Sequence, residues 1–371
     1  MSLIKRAPAT RRWKRITFRI FAALTWTAGI MLAFSYLSPF VDPRDTSIPA
    51  FVGLAFLPLL VINLALLLFW VITWRRIAFL PLVVIAAGWP KTQLLFQFNK
   101  PGNPSGETLK ILSWNTRLFD LYNWTGNKET KRKMFSFLQK EGADILCFQE
   151  FYDNPESFPV MDSLLFIQQA RNYHVEYSLV MGPQHFGIAT LSRHPIINRG
   201  VVSFPEISNN TCIFTDIVWN KDTIRVYNLH FQSNMFSEED YGFFDGTKSG
   251  ENKKEKPSGM KILGKLKTGF SKRAQQAEIV REHIQKSPYS VIIAGDFNDS
   301  PVSFTYRRMT KNFKDAFVEK GTGFGKTYSG KAPSYRIDYI LHDEKFRTLD
   351  FQTIPENLSD HYPIIAVMEK N

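Results

Sequence analysis

The chain has 371 residues, with 46 Lys and Arg against 34 Asp and Glu and a formal net charge of +12. That excess is lopsided: ten basic residues but only Asp42 and Asp45 precede residue 91, so this region carries +8 and the remainder only +4. The usual inference from a high pI to a nucleic-acid-binding chain is thereby weakened, and two cysteines, Cys147 and Cys212, are too few for a disulfide framework or a zinc cluster.

Lys5, Arg6, Arg11, Arg12, Lys14 and Arg15 precede an apolar stretch from Ile16 to Leu37, interrupted only by Arg19. About 20 apolar residues cross a bilayer, and an arginine near the end can snorkel to the headgroups. A cleaved signal peptide is the competing reading, disfavoured because no small-residue cleavage site is evident and further apolar stretches follow. Phe51 to Trp74 is uncharged, with Trp70 and Trp74 suited to an interface. Ile77 to Trp89, after Arg75-Arg76, is shorter, contains Pro81, and spans only with little tilt or by continuing into Leu94 to Phe98. The expectation is an all-α membrane region over residues 1–98 with two to three transmembrane helices, multi-pass in a bacterial-type inner membrane. By the positive-inside rule the N-terminus and Arg75-Arg76 are cytoplasmic. Three crossings then place the rest of the chain outside the cytoplasm, and a re-entrant third stretch would place it inside.

Residues 99–107, NKPGNPSGE, read as a linker, and residues 108–371 as one α/β domain. Strands are expected at Leu109–Trp114, Ile145–Phe148, Val175–Met181, Ile188–Ser192, Ile213–Trp219 and Thr223–Leu229, the last two joined by a turn at Asn220-Lys221-Asp222. Helices are expected over Lys128–Glu141, with Met134, Phe135 and Leu138 on one face, and around Val160–Ala170. A polar insertion, Ser237–Gly250, leads into Lys248–Arg273, where nine Lys or Arg face only Glu251 and Glu255. Ile262, Leu263, Leu266 and Phe270 recur there at helical spacing among Lys261, Lys265 and Lys272. That pattern fits a short basic amphipathic helix lying on anionic lipid, a substrate-selecting rim, or a solvated loop. Ser271 can cap the next helix, to about Lys286. It leads to Val291–Ala294, a short continuous apolar run that reads as a strand buried on both faces. Arg336–Leu341, Phe346–Ile354 and Ile364–Met368 complete the strands.

Polar residues stand at the ends of these apolar runs: Asn115 in SWNTR, Glu150 in CFQE, His230 in NLHFQS, Asp296, Asn298 and Asp299 in GDFNDS, Asp338 in RIDYI, and Asp360-His361 in SDHYP. Singly, each has a plain reading: Asn115 a turn cap, His230 a satisfied core histidine, Asp338 a partner of Arg336 or Lys345. Together they are carboxylates and amides that are costly to bury near one another without a cation, which favours a hard, oxygen-loving ion such as Mg²⁺ or Mn²⁺.

In this order the motifs resemble the endonuclease/exonuclease/phosphatase (DNase I-like) superfamily over roughly Leu109–Glu369. GIATLSRHPI at Gly187–Ile196 resembles the family's strand ending in S-R-x-P-I. The resemblance implies a four-layer α/β sandwich of two facing mixed sheets, and a phosphoester hydrolase working by in-line attack of water. Carried over to this sequence, Glu150 is the principal metal ligand with Asn115 beside it, and Asp360 reaches the metal. Asp296 and Asn298 position water and phosphate, Asp338 orients and charges His361, and His230 bonds a phosphoryl oxygen or protonates the leaving group. Asn228-Leu229-His230 is similar to the nuclease, inositol phosphatase and sphingomyelinase members and unlike the tyrosine-containing pattern of the AP endonucleases, which implies against DNA repair. The expected substrate is a lipid headgroup or small phosphoester. The alternatives are an extracytoplasmic DNase I-like nuclease, for which nucleic acid is the less favoured substrate, and an inactive membrane-bound binding protein, which would be expected to lack one of these residues. No obligate protein partner is inferred.

Overall fold

The computed structural model describes residues 9–168, 172–205, 210–234, 236, 259–330 and 336–371. The chain forms two compact units, one reaching to Thr92 and including 302–304, the other comprising 93–301 and 305–371.

Within the first unit, helices α1 (Ala9–Ser35), α2 (Ile48–Leu54), α3 (Phe56–Ile72) and α4 (Phe79–Ala87) follow one another. Trp13–Ser35 of α1 is 23 residues long with mean hydropathy 1.5, roughly 35 Å at the helical rise and enough for a hydrocarbon layer of about 30 Å. Ile20, Leu24 and Ile30 are exposed on it. Thr25 Oγ1 accepts from Trp70 Nε1 at 2.8 Å and Ala28 O from Asn63 Nδ2 at 3.0 Å, polar contacts of the kind that join apolar helices.

The second expected crossing is two helices, α2 and α3, bent by 61° at Ala55. The third falls short of a span. Arg76 to Ala87 is a shorter apolar helix, about 18 Å long at 1.5 Å per residue and too short to span. Gln97–Phe98, its expected continuation, instead pairs antiparallel with Thr322–Gly323. Among the described residues one helix is long and apolar enough to cross a membrane, or two if the bent pair is counted as one. The multi-pass arrangement is therefore unsupported, and the parity argument for an extracytoplasmic domain goes with it.

In the second unit the strands are β1 (Thr108–Asn115), β2 (Ile145–Asp153), β3 (Asn172–Met181), β4 (Gln184–Ser192), β5 (Ile196–Val202), β6 (Thr211–Trp219), β7 (Asp222–His230), β8 (Ser290–Asp296), β9 (Lys314–Asp315), β10 (Asp338–His342), β11 (Phe346–Thr353) and β12 (Ile364–Lys370). They form two six-stranded sheets, ordered β11-β12-β1-β2-β4-β3 and β9-β10-β8-β7-β6-β5. β1 and β2 are parallel, as are β7 and β8. Alternation along the strands dictates the layers. Ile111, Cys147, Val226, Ile292, Ala294 and Ile364 meet in the core between the sheets. Their neighbours Leu112, Leu146 and Phe148 face outward and pack with α5 (Thr130–Glu141) and α6 (Val160–Gln168). Tyr227 and Ile293 pack likewise with α7 (Gly259–Ile284). This is the expected four-layer α/β sandwich of two mixed sheets.

Three details differ from the sequence expectation or sharpen it. The β6–β7 turn is made by Asn220 and Lys221 at φ 50° and 63°, the primed geometry that a two-residue hairpin needs. Ser271 does not begin a helix but lies inside α7, which runs unbroken for 26 residues. The stripe of Ile262, Leu266 and Phe270 continues through Ala274, Ala277, Val280 and Ile284, and all of these are buried. Most of the apolar face that the sequence offered to lipid is thus packed, Met260 and Leu263 being the exposed large hydrophobic residues of that stretch; residues 237–258 lie outside the described set. Finally, residues 99–107 are irregular but held along the unit. Asn99 N donates to Gly321 O and Gly102 N to Leu349 O, and Ser105 N and Oγ both donate to the Glu369 carboxylate.

Candidate active site

Asn115, Glu150, His230 and Asp296 stand at or near the C-terminal ends of the four parallel-paired strands, where open α/β sheets expose chemistry. Asp338 opens β10 directly opposite Asp296 in the ladder. The structure brings all eight predicted side chains to this end of the sandwich.

A bulge presents Glu150. Between Phe148 and Phe151 β2 advances three residues while β4 advances two, from Ala189 to Gly187. Glu150 takes the left-handed φ of 46°, a cost of roughly 1–3 kcal/mol for a non-glycine residue, and the extra residue re-aims its carboxylate. Thr116 Oγ1 pins the distortion by donating to Gln149 O at 3.2 Å and Glu150 O at 3.1 Å. On β8, Gly295 is required by its φ of 146°, and a Cβ there would sit 2.0 Å from Leu229 O of β7.

Asp296 is the hub. Its Oδ1 accepts from Asn298 N at 2.8 Å, and its Oδ2 from Asn115 Nδ2 at 3.1 Å and Asn298 Nδ2 at 3.2 Å. His230 Nε2 lies 3.6 Å from the same oxygen and His361 Nε2 3.8 Å. Burial raises the Asp296 carboxyl, His361 opposes the rise, and adjacent Asp338 adds to it, leaving it at about 6. Asn298 holds φ 52° and also donates from Nδ2 to Phe231 O.

The two histidines diverge. His361 Nδ1 faces both Asp338 oxygens, at 3.2 and 3.0 Å. Burial opposes charge on His361, but Asp338, Asp296 and Asp360 outweigh it and raise the imidazole well above its ordinary range. For His230, burial dominates and the charge of His361 reinforces it, so its imidazole is lowered despite Asp296. His230 Nε2 is buried without a hydrogen-bond partner, 3.9 Å from Glu150 Oε1. An orphaned polar atom aimed between two carboxylates marks a place for a ligand.

Glu150 is raised first by the protein crowding it, although its side chain is 36 % exposed, and then by the charge of Asp360. Asn115 Nδ2 donates to Glu150 Oε1 at 3.2 Å, while Asn115 Oδ1 accepts from Arg117 N; metal ligation by Asn115 would need its amide turned about. Ser359 Oγ donates to Asn115 O at 2.9 Å, and Arg117 Nε lies 3.4 Å from Asp360 Oδ2. Facing Glu150 and Asp360 carboxylates beside a neutral His230 are an all-oxygen donor set that fits a hard divalent cation. Ligand atoms of Asp296, Asp338 and His361 also cluster within 4.8 Å, but there the raised imidazole already supplies positive charge.

Several supporting contacts were given no role in the sequence reading. Asn228, fully buried in β7, accepts from Gln149 Nε2 at 2.6 Å and donates to Ala189 O at 2.8 Å, tying the two sheets together near Glu150 and His230. Thr327 Oγ1 accepts from Ile337 N and Asp338 N, and Thr327 O from Tyr362 N, which fixes Asp338 against His361. Arg273 of α7 binds Gln232 O, Asn234 Oδ1 and Asp299 Oδ2, so Asp299, the third polar residue of the GDFND turn, anchors the loop. A polar residue inside an apolar run, as in VYNLH, was the available signal for Asn228.

After Asn115 the chain makes a left-handed turn: Arg117, Leu118, Phe119 and Asp120 have φ of 45°, 55°, 53° and 60°. Four such residues cost several kcal/mol, at roughly 1–2 each. Phe119, fully buried against Phe135, Phe148 and Phe151, helps to hold the turn in place.

The sequence profile of the Endonuclease/Exonuclease/phosphatase family matches residues 112–361, and that of a domain of unknown function matches residues 18–94. No curated protein matches the chain. Among solved structures, an endonuclease/exonuclease/phosphatase from Beutenbergia cavernae is 15 % identical with TM-score 0.52, covering 72 % of each chain. One from Bacteroides vulgatus is 14 % identical with TM-score 0.51, covering 72 % of this chain and all of that one. The human Nocturnin catalytic domain with bound sulfate is 14 % identical with TM-score 0.50, covering 71 % and 94 %. At these identities the solved structures establish the fold, and the profile match over two thirds of the length establishes the rest: the chain belongs to the endonuclease/exonuclease/phosphatase family of phosphoester hydrolases.

Proposed function

We propose that this chain is a divalent-metal-dependent phosphoesterase, attached to a membrane through its N-terminal helix, that hydrolyses a phosphodiester or phosphomonoester by in-line attack of water. The observation that carries this reading is the split between two neighbouring groups. Glu150 is raised by burial and by the charge of Asp360, while the neighbouring His230 Nε2, 3.6 Å from Asp296 and 3.9 Å from Glu150, has no hydrogen-bond partner.

Glu150 and Asp360 would hold Mg²⁺ or Mn²⁺. Bound there, the ion would supply Lewis-acid stabilisation of phosphoryl charge. The remaining work falls to this chain's own side chains. Asp296, near 6, is ionised at neutral pH yet basic enough to take a proton from an attacking water that Asn298 Nδ2 helps to orient. His361, held charged by Asp338, places positive potential beside the developing negative charge. His230, neutral with Nε2 free of protein partners, can bond a phosphoryl oxygen. All eight residues are present, which counts against the inactive-binding-protein alternative.

The test is a turnover panel with Mg²⁺ and with EDTA: plasmid DNA, RNA, sphingomyelin, phosphatidylinositol phosphates and an aryl phosphodiester. Hydrolysis of one class should vanish in EDTA and in folded Glu150→Ala, and undiminished turnover in either would refute the metal-dependent reading.

A further inference from the structure

The strained turn after Asn115 does more than leave the site. It is rigidly built: Thr116 bonds the β2 bulge, Phe119 is sealed in the core, and Asp120 accepts from Thr125 N at 3.1 Å and Thr125 Oγ1 at 2.6 Å. Yet the side chains it carries outward are aromatic and unneeded for packing, Tyr122 at 60 % and Trp124 at 42 % exposure. Their rings meet edge to face at 5.0 Å. The Arg117 guanidinium lies 4.5 Å over the Trp124 ring while its Nε reaches Asp360. One side chain thus joins a site carboxylate to an exposed aromatic pair.

We propose that this loop is a stacking subsite for a planar aromatic group on the phosphoester, of the nucleobase kind: the ring lies on Trp124 and Tyr122 while the phosphate is met by Arg117 at the edge of the catalytic group. The inference rests on the phosphoesterase reading above for the phosphate's place, but the stacking is separable from turnover. A neutral planar ring is favoured over a quaternary ammonium headgroup. Arg117 already occupies one face of Trp124 with a positive charge, and a second cation against the same pair would be repelled, whereas any base offers a π-face that stacks. The stiffness of the loop means that little order has to be imposed on binding.

The test uses the full-length chain in detergent micelles with Mg²⁺. Calorimetric titration compares thymidine 5′-monophosphate, methyl phosphate and phosphocholine. The nucleotide should bind at least about tenfold more tightly than either of the others, the lower range expected for one stacked base. Trp124→Ala should bring that preference to about twofold, while Trp124→Phe retains most of it. Trp124 is exposed, so an unchanged unfolding temperature checks that the fold is intact. Equal binding of nucleotide and methyl phosphate by the wild type, phosphocholine binding as tightly as the nucleotide, or a preference untouched in Trp124→Ala would each overturn the proposal. Turnover of thymidine 5′-(p-nitrophenyl phosphate) and methyl p-nitrophenyl phosphate, which share a leaving group, separates the two readings. If neither ester is cleaved while the binding preference persists, the hydrolase reading fails and the subsite stands. If both are cleaved without any binding preference, the subsite fails and the hydrolase reading stands.

Discussion

Asn228→Leu is a sharp test of how the site is held. Asn228 is fully buried, accepts from Gln149 Nε2 at 2.6 Å and donates to Ala189 O at 2.8 Å, with longer contacts to Phe148 O and Thr190 Oγ1 at 3.3 Å. Leucine is of similar size but takes no part in these bonds. Gln149 Nε2 would be left with Ser113 Oγ and Cys147 O, both at 3.3 Å. Two good bonds lost with buried partners cost about 3 kcal/mol, and the apolar side chain returns about 1. The net of about 2 kcal/mol corresponds to a fall of roughly 5 °C in unfolding temperature for a unit of this size. Because β7 carries His230 and β2 carries Glu150, turnover should fall as well. The decisive measurement is the double variant with Gln149→Leu. Removing both partners leaves fewer stripped polar groups than removing one, so the double variant should be more stable than the sum of the single changes by about 1 kcal/mol or more. Simple additivity, or an Asn228→Leu protein melting within 1 °C of wild type (roughly 0.3 kcal/mol), would refute the cross-sheet argument.

Asp338→Asn should lower turnover by about a hundredfold or more. It should also shift the alkaline limb of the pH–rate profile toward lower pH, because His361 loses the carboxylate that keeps it charged; an unmoved limb would exclude His361⁺ from the reaction. Glu319, although burial opposes it, is lowered to about 2 by its bonds to His342 and Thr348. A depressed carboxyl contributes stability above its ordinary 4.5 that is lost as pH falls toward 2. The stability gap between wild type and Glu319→Gln should therefore be at most about 3 kcal/mol at pH 6 and contract below pH 4.5, and a gap that widens on acidification would contradict this. For α1, the chain should remain in the membrane pellet after alkaline carbonate washing, whereas release of intact chain would show that Trp13–Ser35 does not span.

The sandwich was legible because its strands obey period two with apolar residues on both faces. In KILSW, Ile111 turns to the inter-sheet core while Leu112 and Trp114 turn to the helices. β5 escaped notice because INRGVV is a half-exposed edge with Asn198, Arg199 and Gly200 in its middle. The membrane count is at its lower end or below for a related reason. Hydropathy measures how apolar a run is, not whether one helix carries it: one apolar run is bent by 61° at Ala55, and another is carried by the short helix Arg76–Ala87. The helix of the basic segment runs further than expected because four residues of helical period look alike whether the stripe ends at Phe270 or continues to Ile284.

For the site, the side chains named from sequence come together because each stands where a buried strand stops or starts. Why they converge is less visible. Glu150 reaches the cleft only through an extra residue in β2, and no residue type announces a bulge at Gln149-Glu150. Asn115 lies in a favourable motif, yet its amide nitrogen is what meets Glu150 and Asp296. The opposite shifts of His230 and His361 could not be read from two histidines in similar strand-end settings. Both are buried, so desolvation disfavours charge on each. The difference is geometric: Asp338 lies at hydrogen-bond distance from His361 Nδ1, while His230 has only Glu150 and Asp296 beyond that distance. One carboxylate, delivered by the antiparallel register of β10 against β8, is therefore the main physical difference between the raised and the lowered imidazole.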